Sequence, residues 1–256
     1  MSRSVGVVVP AYRPDVTRLS QYVRALDDRL APAELRIELD DPAPGDDSEA
    51  LADLPATVHV AERRRGKGAA VTDGFQALGT DILVFADADG STPADSIADV
   101  IAPVESGEFD LAAGSRRHPE ATVESHQKVL RRFLGDGFAW LARRLLGPNL
   151  YDYQCGAKAV SANFWARLRR HLYEPGFAWD IELIAVAGAL GGRIAEVPVV
   201  WEDQPESTVD PVSDTISMFT GLLSARHRAN VVRGSRLHSL LASRATHTPL
   251  IERGGS

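Results

Sequence analysis

Val5-Gly6-Val7-Val8-Val9 carries no polar side chain and stops at Pro10. So short an apolar run suits a strand covered on both faces, as in a parallel sheet, better than a helix. Similar runs recur at Arg36 to Leu39, Thr57 to Val60, Ile82 to Ala86 and Leu111 to Ala113. Helix-length segments separate them: Asp15 to Leu30 with Asp15 as N-cap, Gly68 to Leu78, and Asp95 to Glu105 after Pro93. This alternation predicts an α/β fold with a mostly parallel central sheet flanked by helices.

The second half reads as a long helical pattern from Val123 to Leu146, a loop at Gly147 to Gly156, and helices near Ala162 to His171 and Asp180 to Leu190. A late strand at Ile194 to Trp201 follows. With 256 residues and 44% hydrophobic composition, one sizeable core is expected. We place that domain at residues 1–212 and a C-terminal tail at 213–256. In the tail, Ile216, Phe219, Leu222, Leu223, Val231 and Val232 recur near helical spacing, as in an amphipathic helix.

The net charge of −7 argues against nucleic-acid binding, which relies on basic patches that release phosphate counterions. The charge is unevenly spread. Thr215 to Ile251 holds no Asp or Glu but carries Arg226, Arg228, Arg233, Arg236 and Arg244, so the tail is basic and the body acidic. A single cysteine, Cys155, excludes an internal disulfide and a cysteine-based zinc site. No stretch approaches the roughly 18 apolar residues of a membrane span, and Met1-Ser2-Arg3-Ser4 runs into the first strand without a signal-peptide core. A cytoplasmic protein is expected.

The run Ile82 to Ala86 leads directly into Asp87-Ala88-Asp89-Gly90. Residues two apart on a strand point to the same side, so both carboxylates can meet beyond the strand's C-terminal end, where open α/β sheets bind ligands. A hard cation such as Mg²⁺ or Mn²⁺ relieves their repulsion and takes its remaining ligands from phosphates and water. Asp89-Gly90 also suits a turn, with Asp87 capping the next helix. Upstream, Arg63-Arg64-Arg65-Gly66-Lys67-Gly68 sets cations and glycines ahead of a helix, an arrangement for approaching phosphate. Lys67 is one of only three lysines among 28 basic residues, the others being Lys128 and Lys158. A compact ammonium fits a crowded site that would not admit a guanidinium.

Six segments in order now resemble one family. They are Val8-Val9-Pro10-Ala11-Tyr12, Gly66-Lys67-Gly68-Ala69-Ala70-Val71, Asp87-Ala88-Asp89-Gly90-Ser91-Thr92, Gly114-Ser115-Arg116, Asp152-Tyr153-Gln154-Cys155-Gly156-Ala157-Lys158 and Ala178-Trp179-Asp180-Ile181-Glu182-Leu183. Together they look like the inverting GT-A (Rossmann-like) glycosyltransferases that load a sugar onto a polyprenyl phosphate, and within these the dolichyl-phosphate glucosyltransferases and their archaeal relatives. The Gln-Cys-Gly and Trp-Asp-Ile-Glu-Leu segments tilt the resemblance toward glucosyl transfer.

The resemblance implies a nucleotide-sugar donor such as UDP-glucose, a dolichyl or polyprenyl phosphate acceptor, an Mg²⁺ or Mn²⁺ cofactor, and a peripheral position on the cytoplasmic face of the membrane. Pro10, Ala11 and Tyr12 would line the nucleotide, with Asp40 or Asp41 at base or ribose, and Lys67 and Ala88 nearby. Asp87 and Asp89 would hold the metal, and Ser115 and Arg116 would sit at the phosphates. Arg116, Arg117 and Arg131 would cradle the acceptor, while Asp152, Gln154, Asp180 and Glu182 would lie around sugar and acceptor. Asp89, Asp152 and Arg116 are the expected catalytic residues. Without the family, helix chemistry would make Asp180 an N-cap or first-turn acid and Glu182 a residue on a solvated face, and a functional role for them stands equally open.

Three departures stand out. Arg13-Pro14 replaces the family's Asn-Glu, Asp40-Asp41-Pro42-Ala43 replaces Asp-Asp-Gly-Ser, and Ala157 replaces a common aromatic. The first two fall in the half that would recognise the base. A nucleotidyltransferase would need a glycine-rich loop after the first strand, and Pro10-Ala11-Tyr12-Arg13-Pro14 has no glycine. Mannosyl and N-acetylhexosaminyl donors, and a non-catalytic nucleotide-sugar binder, remain open alternatives.

Overall fold

The computed structural model describes residues 3–42, 51–124, 129–202, 211–235 and 248–253, with side chains described except at 124, 129–136 and 211–217. The strands are β1 (Val5–Tyr12), β2 (Glu34–Asp40), β3 (Thr57–Ala61), β4 (Ile82–Ala86), β5 (Leu111–Ser115), β6 (Thr122–Glu124), β7 (Ala157–Ser161), β8 (Ile194–Pro198) and β9 (Val200–Glu202). The helices are α1 (Val16–Leu30), α2 (Lys67–Ala77), α3 (Ala94–Glu105), α4 (Val129–Leu146), α5 (Ala162–Leu168), α6 (Trp179–Ala189) and α7 (Pro211–Val232).

Seven strands form one sheet in the order β3-β2-β1-β4-β7-β5-β8. All its pairings are parallel except those of β7, which runs antiparallel to both β4 and β5. The mostly parallel α/β sheet expected from the sequence is therefore present. Two elements differ from the sequence reading. Strand β7 lies where no apolar run marks it, and Val123 begins no helix but sits in β6, paired in parallel with β9. The late strand expected at Ile194 to Trp201 is divided, because Val199 separates β8 from β9.

Alternation along each strand splits the core in two. Val7, Val9, Ile82, Val84 and Ala112 face α1 and α3, packing with Leu19, Val23, Ile97 and Val100. Val8, Leu83, Phe85 and Leu111 face the opposite side, which Phe75, Phe164, Trp165 and α6, buried from Trp179 to Ala187, fill. Asp15 caps α1 as expected, accepting from the Arg18 amide at 3.0 Å. Ser161 does the same for α5, accepting from the Phe164 amide.

Helix α7, which the sequence sets apart as a tail, contributes Leu222, Ala225 and Ala229 to the second core. Its described side chains thus belong to the domain, while Phe219 and Leu223 stay exposed one turn apart. Ile216 has no described side chain, and Arg236 and Arg244 lie outside the described residues. Leu222→Ala should cost about 3 kcal/mol in urea unfolding, as for a buried leucine. Leu223→Ala should change little; equal effects at both positions would mean that α7 does not pack as described.

Candidate active site

The C-terminal ends of β1, β2, β4 and β5 point the same way, and Tyr12, Asp40, Ala86 and Ser115 close them. Because β7 is antiparallel, its beginning lies at that same edge, with Ala157 opposite Ala86. The segment 152–156 is thereby brought against Asp87, whose amide donates to the Gly156 carbonyl at 2.9 Å. A Cβ on Gly156 would lie 1.9 Å from Asp87 Oδ2, so only glycine fits there.

Asp87 opens a chain of alternating charges. Lys67 Nζ lies 2.9 Å from Asp87 Oδ1 and 2.9 Å from Asp180 Oδ2. Lys158 Nζ takes the other Asp180 oxygen at 2.7 Å and donates to the Cys155 carbonyl at 2.8 Å. Lys158 and Asp180 are each 2% exposed and Lys67 is 9% exposed, whereas Asp87, at 38%, faces the cleft. Burial works against the charge on Lys67, but Asp180 and Asp87 outweigh it and hold the ammonium above its ordinary range. Beneath the lysines, Phe85, Trp179 and Phe75 form edge-to-face contacts, and Phe85 also presents its ring to both ammonium groups. Gly66, with φ +94°, lets the start of α2 approach the Pro175 carbonyl closely enough to aim Lys67 inward.

Asp89 is exposed, and its Oδ1 accepts from the Ser91 amide at 2.9 Å, the turn that Asp89-Gly90 allows. Asp87 does not cap the next helix, whose N-cap is Pro93. The remaining oxygens of Asp87 and Asp89 are hard donors suited to Mg²⁺ or Mn²⁺. Among the described residues no His, Cys, Asp or Glu makes a third ligand with them. Such a donor pair fits an ion that completes its shell with phosphate and water.

Beside this pair, Arg116 grips Asp152 in a bidentate ion pair, Nε to Oδ2 at 2.7 Å and Nη2 to Oδ1 at 3.1 Å. Burial would raise the Asp152 carboxyl, yet Arg116 holds it well below the usual range. Glu196 accepts the Tyr151 and Asp152 amides, and Asp152 Oδ1 accepts the Gln154 amide, which fixes the loop. Ser115 is fully buried, and its hydroxyl has no hydrogen-bond partner among the described residues. Arg117 is half-buried next to Arg116, and the side chain of Arg131 lies outside those described. Burial first, then Asp152, pushes the Cys155 thiol up to about 11, so it is an inert packing group.

The nucleotide half is arranged differently from the simple expectation. Asp40 turns inward, accepting from the Arg65 amide, the Arg65 guanidinium and the Gly66 amide. Asp41 faces outward instead and pairs with Arg13 at 2.8 Å. The exposed Tyr12 ring has the guanidinium groups of Arg64 and Arg13 at 4.1 and 5.4 Å from its centroid. Pro10 and Ala11 precede it in β1, and Ala88 sits half-buried between the two carboxylates.

Glu182 is not on a solvated face. It is buried, takes an ion pair from Arg228 of α7, and accepts the Tyr173 and Glu174 amides at 2.9 and 2.8 Å. It therefore ties α7 to the loop behind Lys67. Sequence reasoning missed Lys158, Gly156, Glu196 and Tyr22, whose hydroxyl donates to the Thr92 carbonyl at 2.7 Å. Lys158 carried the signal that singled out Lys67, since lysine is rare in this chain.

The glycosyl transferase family 2 model matches residues 7–169. The chain belongs to glycosyl transferase family 2. It is 30% identical to glycosyltransferase AglD of Haloferax volcanii over 86% of this chain and 36% of that protein. It is 35% identical to the dolichyl-phosphate beta-glucosyltransferase of Mus musculus over 65% of this chain and 53% of that one. The chain thus spans only a part of each, 36% and 53% of their lengths. Glucosyl-3-phosphoglycerate synthase from Mycobacterium tuberculosis, solved with Mn²⁺, UDP-glucose and phosphoglyceric acid, superposes with a TM-score of 0.70. That match covers 88% of this chain and 80% of the other at 20% identity, and shows a shared fold.

Ionised Asp152 contributes stability that is present above the unfolded-state value near 3.9 and is lost as pH falls through the lower folded value. Asp152→Asn should cost about 3 kcal/mol at neutral pH, as for breaking a buried pair. Urea unfolding below about pH 4 should show the gap to the wild type closing; a gap that is constant with pH would contradict the ion pair.

Proposed function

We propose that this chain transfers a hexosyl group, glucose from UDP-glucose, with inversion to dolichyl or polyprenyl phosphate. The observation that carries the reading is the Asp87–Lys67 ion pair, with Asp89 two residues on, beside the Arg116–Asp152 pair at the C-terminal edge of a family 2 sheet. The dolichyl-phosphate beta-glucosyltransferases among its relatives support glucose and a polyprenyl phosphate.

Breaking the bond between the anomeric carbon and the diphosphate places negative charge on the leaving nucleotide. A divalent cation held by Asp87 and Asp89 supplies Lewis-acid stabilisation of that charge. Tyr12, with Arg13 and Arg64 against its ring, offers the base a face to stack on, and Asp41 stands beside it. The acceptor phosphate, with a second pKa of about 6, arrives ionised and needs no strong base. Asp152, held ionised and saturated with hydrogen bonds, therefore orients Arg116 rather than abstracting a proton. Arg116 and Arg117 offset the repulsion between two phosphate-bearing substrates.

No helix among the described residues is long and apolar enough to cross a membrane. Phe219 and Leu223 on α7, with Phe177 in the loop before α6, present exposed apolar side chains through which we place the protein on the surface of a membrane that carries the acceptor.

Purified protein given UDP-glucose, dolichyl phosphate and Mn²⁺ should move glucose into the lipid phase, and Asp89→Asn should lower the rate at least roughly 100-fold. Transfer from GDP-mannose or UDP-N-acetylglucosamine instead would reassign the sugar. Flotation with anionic vesicles should carry the wild type upward, and the double variant Phe219→Ser/Leu223→Ser roughly tenfold less. Wild-type protein left at the bottom of the gradient would remove the membrane assignment.

A further inference from the structure

We infer that Lys67 is a built-in counterion that makes Asp87 and Asp89 a weak site for a bare divalent cation and a strong one for a cation arriving with a diphosphate, an inference that rests on the donor-site reading above. Lys67 is no solvated neighbour of the carboxylates. Its Nζ bridges Asp87 Oδ1 and Asp180 Oδ2 at 2.9 Å each, over the face of Phe85. Nor is it free to swing away. The second Asp180 oxygen already belongs to Lys158, which is buried and also bound to the Cys155 carbonyl. Withdrawing Lys67 would leave Asp180, 2% exposed, with one partner for two oxygens, and an under-compensated buried carboxylate is costly.

Charge then decides what the site accepts. Two ammonium groups and the carboxylates of Asp87, Asp89 and Asp180 leave the cluster with one net negative charge. A divalent cation entering alone would turn this partly desolvated cluster positive, with Lys67 facing it across a single carboxylate. A cation carrying a sugar-nucleotide diphosphate, with its two negative charges, returns the total to its starting value. The diphosphate also gains an ammonium close to its own oxygens. Lys67 thus weakens the first event and strengthens the second, so metal and nucleotide are retained together.

The test titrates Mn²⁺ alone into the full chain by electron paramagnetic resonance, then UDP at saturating Mn²⁺ by calorimetry. Lys67→Met should bind Mn²⁺ alone roughly tenfold more tightly than the wild type and UDP with Mn²⁺ roughly tenfold more weakly. The variant Lys67→Gln removes the same charge but keeps an amide donor for the buried Asp180 carboxylate, which stays paired with Lys158. It should show the same gain for Mn²⁺ alone and serves if Lys67→Met fails to fold. Adding Asp89→Asn to either should abolish the gain, and a gain that persists there would place it elsewhere and overturn the inference. Folded variants that bind Mn²⁺ alone no better than the wild type, while the wild type still binds UDP with Mn²⁺, would overturn the role of Lys67. Absence of Mn²⁺-dependent UDP binding by the wild type would overturn the donor-site reading itself.

Discussion

Asp180, clasped between two lysines and out of water, is the point on which the ligand end of the molecule depends. A buried carboxylate is tolerable only when both oxygens are matched, and here each has its own ammonium. Lys67 cannot be aimed at Asp87 without Asp180 behind it, nor Asp180 held so deep without Lys158. The buried first part of α6, which carries Asp180, and the aromatic floor of Phe85 and Trp179 supply the low-dielectric surroundings in which such pairing is strong.

The antiparallel β7 gives this arrangement its shape. In an all-parallel sheet only strand exits would line the cleft. Reversing one strand between β4 and β5 brings a strand entrance to the same edge, so the loop from Asp152 to Gly156 stands beside Asp87 and Arg116. Asp87 therefore stands against a wall made by a segment far away in sequence, and at Gly156 an added Cβ would run into its carboxylate.

Much of this frame was legible in the sequence. Strands buried on both faces announce themselves as apolar runs, and Asp87 and Asp89 follow directly on the end of one of them, β4. What escaped were features defined by distant partners. Ala157-Lys158-Ala159-Val160-Ser161 does not read as a central strand because a lysine stands in it, and Lys158 is compatible with burial only through Asp180, 22 residues on. Asp40 looked available for a ligand until Arg65 and Gly66 filled its oxygens. Glu182 looked solvated until Arg228, from a helix read as a separate tail, closed over it. Local patterning shows which residues carry charge, whereas the fold decides which charges are already used.

The Lys67–Asp180 bridge also joins residues made at different times. During synthesis Lys67 and Asp87 leave the ribosome early, with β1, β2 and β4 close by, while Lys158 and Asp180 follow only after most of the chain. The early strands can pair before then, but Lys67 has no reason to leave water for the interior until its second carboxylate arrives. The cleft therefore sets only once α6 has arrived, and a nascent chain stopped short of α6 carries β1 to β7 and its first carboxylates but neither β8 nor a finished pocket.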